Sequence, residues 1–460
     1  MEACLPNSKV LLTKEERKKL RKTKRAYAFL IIIYKALLDV LYVVSISRDY
    51  AYYGLDYFHS PQKIAMGYIF FFFVLIFMVG HIMKPRPSNQ LMFFFELMYF
   101  VPGITFHTYS SSELPFFWFF IGFYFLFQLA NYFGKKVVKE NKPINTTNNK
   151  NKRIFFNVLV VFLLAFTVFY LVYYNGFRLK FDFSNVYALR LQTREMEIPT
   201  IISYLRNPTG ILIPVLIFIC LKNKKFLKAL ILIIIQLAMY GFGANKIHLL
   251  SIGVCIVVAL FREKRIYYWV LIGLCLFLTF SIVYDHFNHE LDTLTNILIR
   301  RTMFTPHKMC HDYYTCFTLN QPDYWRSSFL RYFGFESPYG ELTYYIGIYN
   351  GTLANCDNGL VGDAYGNFGY YSLLIYPFLY FFLFTTYNIM CRGIKKEIIL
   401  FFSIIYAVVI YDAPFFTVLL THGYLFMFVL FTFIFPFKSN IESESLSIRR
   451  EKIVQKHSYK

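Results

Sequence analysis

Residues 14–46 read KEERKKLRKTKRAYAFLIIIYKALLDVLYVVSI. The first part, 14–25, is dominated by Lys and Arg; the second, 26–46, is apolar except for Lys35 and Asp39. At 1.5 Å of rise per residue, a helix over 26–46 is long enough to cross roughly 30 Å of hydrocarbon. The stretch follows a basic segment but is too long for a signal peptide and has no small-residue cleavage site, so it reads as an anchor.

The same alternation recurs along the chain. Further apolar runs lie near 64–83, 91–108, 114–133, 154–174, 199–221, 226–243, 245–261, 266–284, 366–390, 397–411 and 416–437. With 57% hydrophobic and 21% aromatic residues in 460, a soluble domain is excluded. The runs are continuous rather than alternating, which argues against a β-barrel. The expectation is an all-α, polytopic integral membrane protein of about twelve transmembrane helices.

The net charge of +21 is a topology signal and not a nucleic-acid one. Basic clusters recur on one side of the runs: KEERKKLRKTKR, then GKKVVKENK and NKNKR, then KNKK, REKR and RGIKK, and the C-terminal tail. By the positive-inside rule that side is cytoplasmic. The chain is expected to be a single membrane domain, 1–460, with cytoplasmic tails 1–25 and 438–460. Two outer segments stand out: 175–198 and the long loop 285–365. Loops of that length inside compact proteins usually carry function. No internal repeat of the kind common in transporters is visible.

The outer segments hold the candidate residues. In SNVYALRLQTREMEIP, residues 184–199, a helix capped by Ser184 or Asn185 would put Arg190 and Arg194 on one face. Like charges at i,i+4 cost a helix about 0.2–0.5 kcal/mol. A shared phosphate would offset that through the planar guanidinium fork, whereas a solvated face would not need one. Arg178, Arg300, Arg301, Arg326 and Arg331 belong to the same outer set. In NHELDTLTNILIRR, Leu291, Leu294, Ile297 and Leu298 share a helical face that would lie along the membrane surface.

Lys246, in GFGANKIHLL, stands at the outer start of a run and either snorkels or reaches into a cavity. Lys35 and Asp39, four apart, read as a neutralising pair within the membrane, with a proton relay as the other reading. Glu96, mid-run near Pro102 and Gly103, is similar but has no partner in the sequence, and His422, within the last run, reads as a hydrogen-bonded core residue. The loop carboxylates Asp285, Glu290, Asp292, Asp312, Asp323, Glu336, Glu341, Asp357 and Asp363 are all candidate bases. Cys310, Cys316 and Cys356 also fall on the outer side, as free thiols or with Cys310 and Cys316 paired. No cysteine spacing suggests a metal framework.

Residues 353–377, LANCDNGLVGDAYGNFGYYSLLIYP, place small and polar residues at the mouth of an apolar run. Their glycines permit close approach of backbone to a ligand, and Asn355, Asp357, Asn358, Asp363 and Asn367 offer hydrogen bonds to a hydroxyl-rich one. A capping turn is the alternative.

In this stretch, in VYALRLQTR at 186–194, in GANK at 243–246 and in RRTMFTP at 300–306, the chain resembles the Wzy-type O-antigen polymerases, which polymerise oligosaccharide repeat units of bacterial surface polysaccharides. The layout is similar too: about twelve spans, both ends inside and one long periplasmic loop late in the chain. The resemblance implies a GT-C-like glycosyltransferase of the bacterial inner membrane. Its donor and acceptor would be undecaprenyl-diphosphate-linked oligosaccharides, and its partners membrane lipid and a chain-length regulator protein. No cofactor, metal or nucleic acid is implied. Arg190, Arg194, Lys246, Arg300, Arg301, Asp357 and Asp363 would be catalytic. Tyr187, Arg178, Asn355, Asn358 and Asn367 would bind substrate. An O-antigen ligase shares the architecture and lipid donor. A lipid-linked oligosaccharide flippase is the rival of a different class.

Overall fold

The computed structural model describes residues 13–138, 150–175, 196, 198–243, 246–260, 266–287, 295–352 and 355–435. All regular structure among them is helical. Eight of these helices are long and apolar enough to cross a membrane: α1 (Lys14–Tyr53), α2 (Pro61–Met83), α3 (Pro87–Tyr109), α4 (Leu114–Val137), the span Lys150–Tyr174, the span Tyr204–Lys222, the span Ile266–Phe287, and Leu360–Met390. The next elements in order are α5 (Lys150–Asn175), α6 (Thr200–Lys222), α7 (Phe226–Gly243), α8 (Lys246–Leu260) and α9 (Ile266–Phe287). After a π-helix over Thr295–Phe304 come α10 (Thr305–Leu319), α11 (Leu342–Tyr349), α12 (Leu360–Phe368), α13 (Ser372–Met390), α14 (Lys396–Asp412), α15 (Phe415–Leu419) and α16 (Tyr424–Val429). This is a helical, membrane-embedded protein.

Local chemistry sets the ends of these helices. At the start of α1, the Thr13 hydroxyl accepts the Glu16 N–H, and the Glu16 carboxylate accepts the Thr13 N–H. This reciprocal cap satisfies two donors that a helix start leaves open. The basic residues from Lys14 onward are therefore the exposed first turns of α1. Residues 1–12 lie outside the described residues. Ser60 caps α2, with Pro61 at its first position, where a missing N–H costs nothing.

α3 is the central helix and is buried almost throughout. A helix that is apolar on every face belongs in such a place. Its carboxylate, Glu96, is satisfied there: His81 Nδ1 lies at 2.9 Å, the Tyr124 hydroxyl donates at 2.9 Å, and Gln128 donates as well. Lys35 and Asp39 form the expected ion pair. Asp39 also accepts Thr105 Oγ1 (2.8 Å) and Tyr68 Oη (3.3 Å), which ties α1 to α2 and α3.

α6 carries Pro208 and Pro214 in its interior. Pro214 cannot donate to the carbonyl four residues earlier, Gly210. The Gln236 amide of α7 donates to that carbonyl at 3.0 Å. Within a membrane such a freed group must be met by a neighbouring helix.

Three expectations change. The run 416–437 is not one helix: α15 ends at Leu419 and α16 starts at Tyr424. Between them Gly423 takes φ +72° against the ring of Pro208, and His422 lies in this break and not inside a span. Within 285–365 the described residues include α10, α11 and the start of α12. Residues 295–304 are π-helical rather than α-helical, so spacings of three and four no longer define one face. Leu291 and Leu294 lie outside the described residues.

Candidate functional site

One end of the bundle gathers the turns at 54–60 and 110–113 with the start of α10. The Phe58 N–H donates to Tyr109 O (2.7 Å), the Ser111 N–H donates to Asp56 Oδ1 (3.0 Å), and His311 pairs with Glu113. This is the distal end; the basic start of α1 lies at the opposite, proximal end.

At the distal end the π-helix delivers Arg300 to the last turns of α1. Its guanidinium carbon sits 4.5 Å from the centre of the Tyr50 ring and 5.4 Å from that of Tyr53. Lys308, from the first turns of α10, approaches the same Tyr53 ring at 4.9 Å. Gly54, at φ +81°, makes the tight turn that admits it: a Cβ there would lie 3.0 Å from Lys308 Cε. Two cations at one aromatic ring repel each other, and each gains from the ring's negative π-face. Asp312 holds Lys308 at 2.8 Å and accepts from Asn350 at 2.7 Å. Burial raises the Asp312 carboxyl above its ordinary value, and Lys308 opposes that shift. Next to Lys308, His307 lies with its ring 4.4 Å from that of Tyr99, and burial pushes it down to about 3.

The end of α9 adds Asp285. It is 5% exposed, and its Oδ1 has no hydrogen-bond partner. Tyr50 lies within electrostatic range of both Arg300 and Asp285. Among the described residues, Asp285 carries the only buried carboxylate oxygen without a partner. A buried acceptor left open costs free energy unless something fills it. This site therefore holds cations, flat aromatic surface and an available base side by side.

Another cation, Arg206, sits on α6. It donates to Tyr170 Oη (2.9 Å) and to Asn207 Oδ1, and its guanidinium lies 5.3 Å from the Tyr170 ring. His248 and His422 lie within electrostatic range of it. An arginine within a membrane helix is a functional candidate in its own right.

The expected residues fall into separate groups. Arg178, Tyr187, Arg190 and Arg194 lie outside the described residues. Lys246 is the first residue of α8, which packs with α6, α7 and α14. Arg300 and Arg301 are half-buried at the distal cluster. Asp357 is exposed and Asn355 half-buried. Asn358, Asp363 and Asn367 are buried and bound by protein. The Asn358 amide donates to Pro306 O (2.7 Å), and its Oδ1 accepts Cys310 Sγ (3.3 Å). Asp363 accepts the Phe415 N–H, the Tyr376 hydroxyl and the Asn367 amide, each at 2.9 Å. Asn367 accepts the N–H groups of Trp325 (2.8 Å) and Tyr324 (3.0 Å). Those two residues have φ of 61° and 55°, costly for aromatic side chains.

The glycines of the polar stretch also face protein. A Cβ on Gly359 would lie 2.0 Å from Ile410 O, and one on Gly366 would lie 2.7 Å from the Tyr313 ring. Their close approach is to α14 and α10, which corrects the expectation of backbone exposed to a ligand. The cysteine expectation is corrected too. Cys310, Cys316 and Cys356 are free. Cys310 and Cys316 share the helix α10, where six residues give about 9 Å of rise and directions roughly 120° apart, beyond disulfide reach.

Tyr50, Tyr53, Lys308 and Arg206 were not singled out from the sequence. The aromatic, charged run RDYAYYGLDY at 48–57 was a visible signal for the first two, and the Lys308–Asp312 spacing for the third. Compared with family models, with curated proteins and with solved structures, the chain matches none of them.

Proposed function

We propose that the chain is a glycosyltransferase that polymerises undecaprenyl-diphosphate-linked oligosaccharide repeat units at the periplasmic face of a bacterial inner membrane. In this reading the architecture is GT-C-like, with about twelve crossings and both termini cytoplasmic. The distal end is the periplasmic one. The observation that carries the reading is the distal cluster, where Arg300 and Lys308 converge on Tyr53 beside the open carboxylate of Asp285.

The chemistry follows from those groups. An acceptor hydroxyl oxygen bonds to the anomeric carbon of the donor sugar. The bond from that carbon to the diphosphate oxygen breaks, and its electron pair leaves with undecaprenyl diphosphate. The hydroxyl proton passes to Asp285 as general base. Arg300, Arg301 and Lys308 meet the growing charge on the diphosphate, the kind of preorganised stabilisation that lowers such a barrier most. The rings of Tyr50 and Tyr53 hold Arg300 and Lys308 in place for that task. Arg190, Arg194 and Lys246 keep the catalytic roles that the resemblance implies.

The test is the lipopolysaccharide ladder of a deletion strain. A single repeat unit on the core supports the polymerase. Polymer accumulating on the lipid carrier, with bare core, overturns it in favour of a ligase. Bare core with repeat units trapped in the cytoplasm overturns it in favour of a flippase.

A further inference from the structure

At the proximal end, five helix ends enclose a partly open cavity of about 270 Å³. Thr23 and Tyr27 of α1, Ile82 and Met83 of α2, and Gln90 of α3 line it, with Ile266 and Tyr267 of α9 and Lys396 and Leu400 of α14. Its size is just below the roughly 300 Å³ at which small-ligand pockets begin, so it suits a head group rather than a larger molecule.

Gln90 is the residue that marks the cavity as a site. Its two neighbours on α3 are satisfied by protein. The Ser88 N–H donates to Asn388 Oδ1 (3.1 Å), and the Asn388 amide donates back to Ser88 Oγ (3.0 Å). Asn89 donates to Lys84 O (2.6 Å) and accepts from Lys135 Nζ (2.7 Å). Gln90 is 5% exposed, yet its Oε1 has no partner. A buried amide left open among satisfied neighbours calls for a polar occupant.

The surroundings say which occupant. Lys396 is exposed at the cavity rim, and Lys84 and Arg86 flank Pro85 in the adjoining turn. The start of α14 turns its positive dipole end to the same place. Ile82, Met83, Ile266 and Leu400 supply an apolar wall among the helix ends of a membrane-embedded bundle. Basic pockets between membrane helices suit anionic lipid head groups. We infer that this cavity binds the head group of an anionic phospholipid that carries free hydroxyls, with its phosphate at Lys396 and a hydroxyl at Gln90. The inference is independent of the reaction proposed for the distal end.

The test uses the full chain in detergent micelles and native mass spectrometry. The probes are phosphatidylglycerol, phosphatidylcholine and sn-glycerol 3-phosphate. Phosphatidylglycerol should be retained in preference to phosphatidylcholine. Loss of the hydrogen bond to the lipid hydroxyl in Gln90→Leu, or of the charge at the phosphate in Lys396→Ala, should weaken retention about tenfold. Equal retention of the two lipids overturns the inference, because it describes unspecific lipid around the bundle. Binding of glycerol phosphate as tight as that of phosphatidylglycerol also overturns it, because the site then takes a soluble anion. If Gln90→Leu does not yield folded protein, Lys396→Ala decides: its side chain is exposed, and unchanged phosphatidylglycerol retention in that variant overturns the inference.

Discussion

Asp285 and Asp363 are each 5% exposed, and both stand near the distal end of a helix bundle. Their surroundings differ in one respect. The Asp363 carboxylate is filled by Phe415, Tyr376 and Asn367, so it ties α12 to α13 and α15. Asp285 keeps one oxygen open beside Tyr50 and Arg300. Burial alone therefore does not separate a structural carboxylate from one kept for a ligand. The count of partners does, because a polar group withdrawn from water must be met by something.

That contrast can be broken in order of expected effect. Asp363→Ala leaves the buried Phe415 N–H without an acceptor and takes the carboxylate bonds from Tyr376 and Asn367, which keep the Asp363 backbone carbonyl; the loss is about 3–5 kcal/mol, a large part of a domain's stability. Little folded protein should accumulate, as read by gel filtration in detergent and by thermal unfolding. Wild-type yield and unfolding temperature would remove the structural role.

Asp285→Asn should do the opposite, leaving yield and unfolding temperature unchanged. Under the proposed function, its rate of polymerising lipid-linked repeat units should fall about 10²–10⁴-fold, the usual contribution of a general base. A full-rate Asp285→Asn enzyme would mean that the proton goes elsewhere.

Arg300→Ala should slow the reaction about 10²–10³-fold without unfolding the protein. Arg300→Lys should recover only part of it, since an ammonium lacks the planar fork. Equal rates for the Lys variant and the wild type would reduce Arg300 to a point charge. The smallest effect belongs to the cysteines. Cys316→Ser should leave yield and activity unaltered, and thiol labelling of the unfolded chain should be the same before and after reduction. Extra labelling after reduction would reveal a bridge that the α10 geometry forbids.

The helical, membrane-embedded class was legible in the run at 14–46 and its repeats, because hydrocarbon admits few backbone solutions and apolar length reports them directly. Several helix limits follow the same signal closely: the runs read at 226–243, 245–261 and 397–411 are observed as Phe226–Gly243, Lys246–Leu260 and Lys396–Asp412. The ion pair of Lys35 and Asp39 was legible too, since four residues is one helical turn.

The roles of polar residues were not legible in this way. Asn358, Asp363 and Asn367 looked like ligand-binding groups in a glycine-rich mouth, and their partners turned out to come from positions as far apart as Pro306, Tyr324 and Phe415. Asp285 looked like any other loop carboxylate. What sequence by itself determined was each segment's solvent, lipid or water, because that depends on local composition. What only tertiary structure decided was which polar atoms find partners and which stay open, at Asp285 and at Gln90. That is set by contacts between residues far apart in the chain, and no local pattern encodes them.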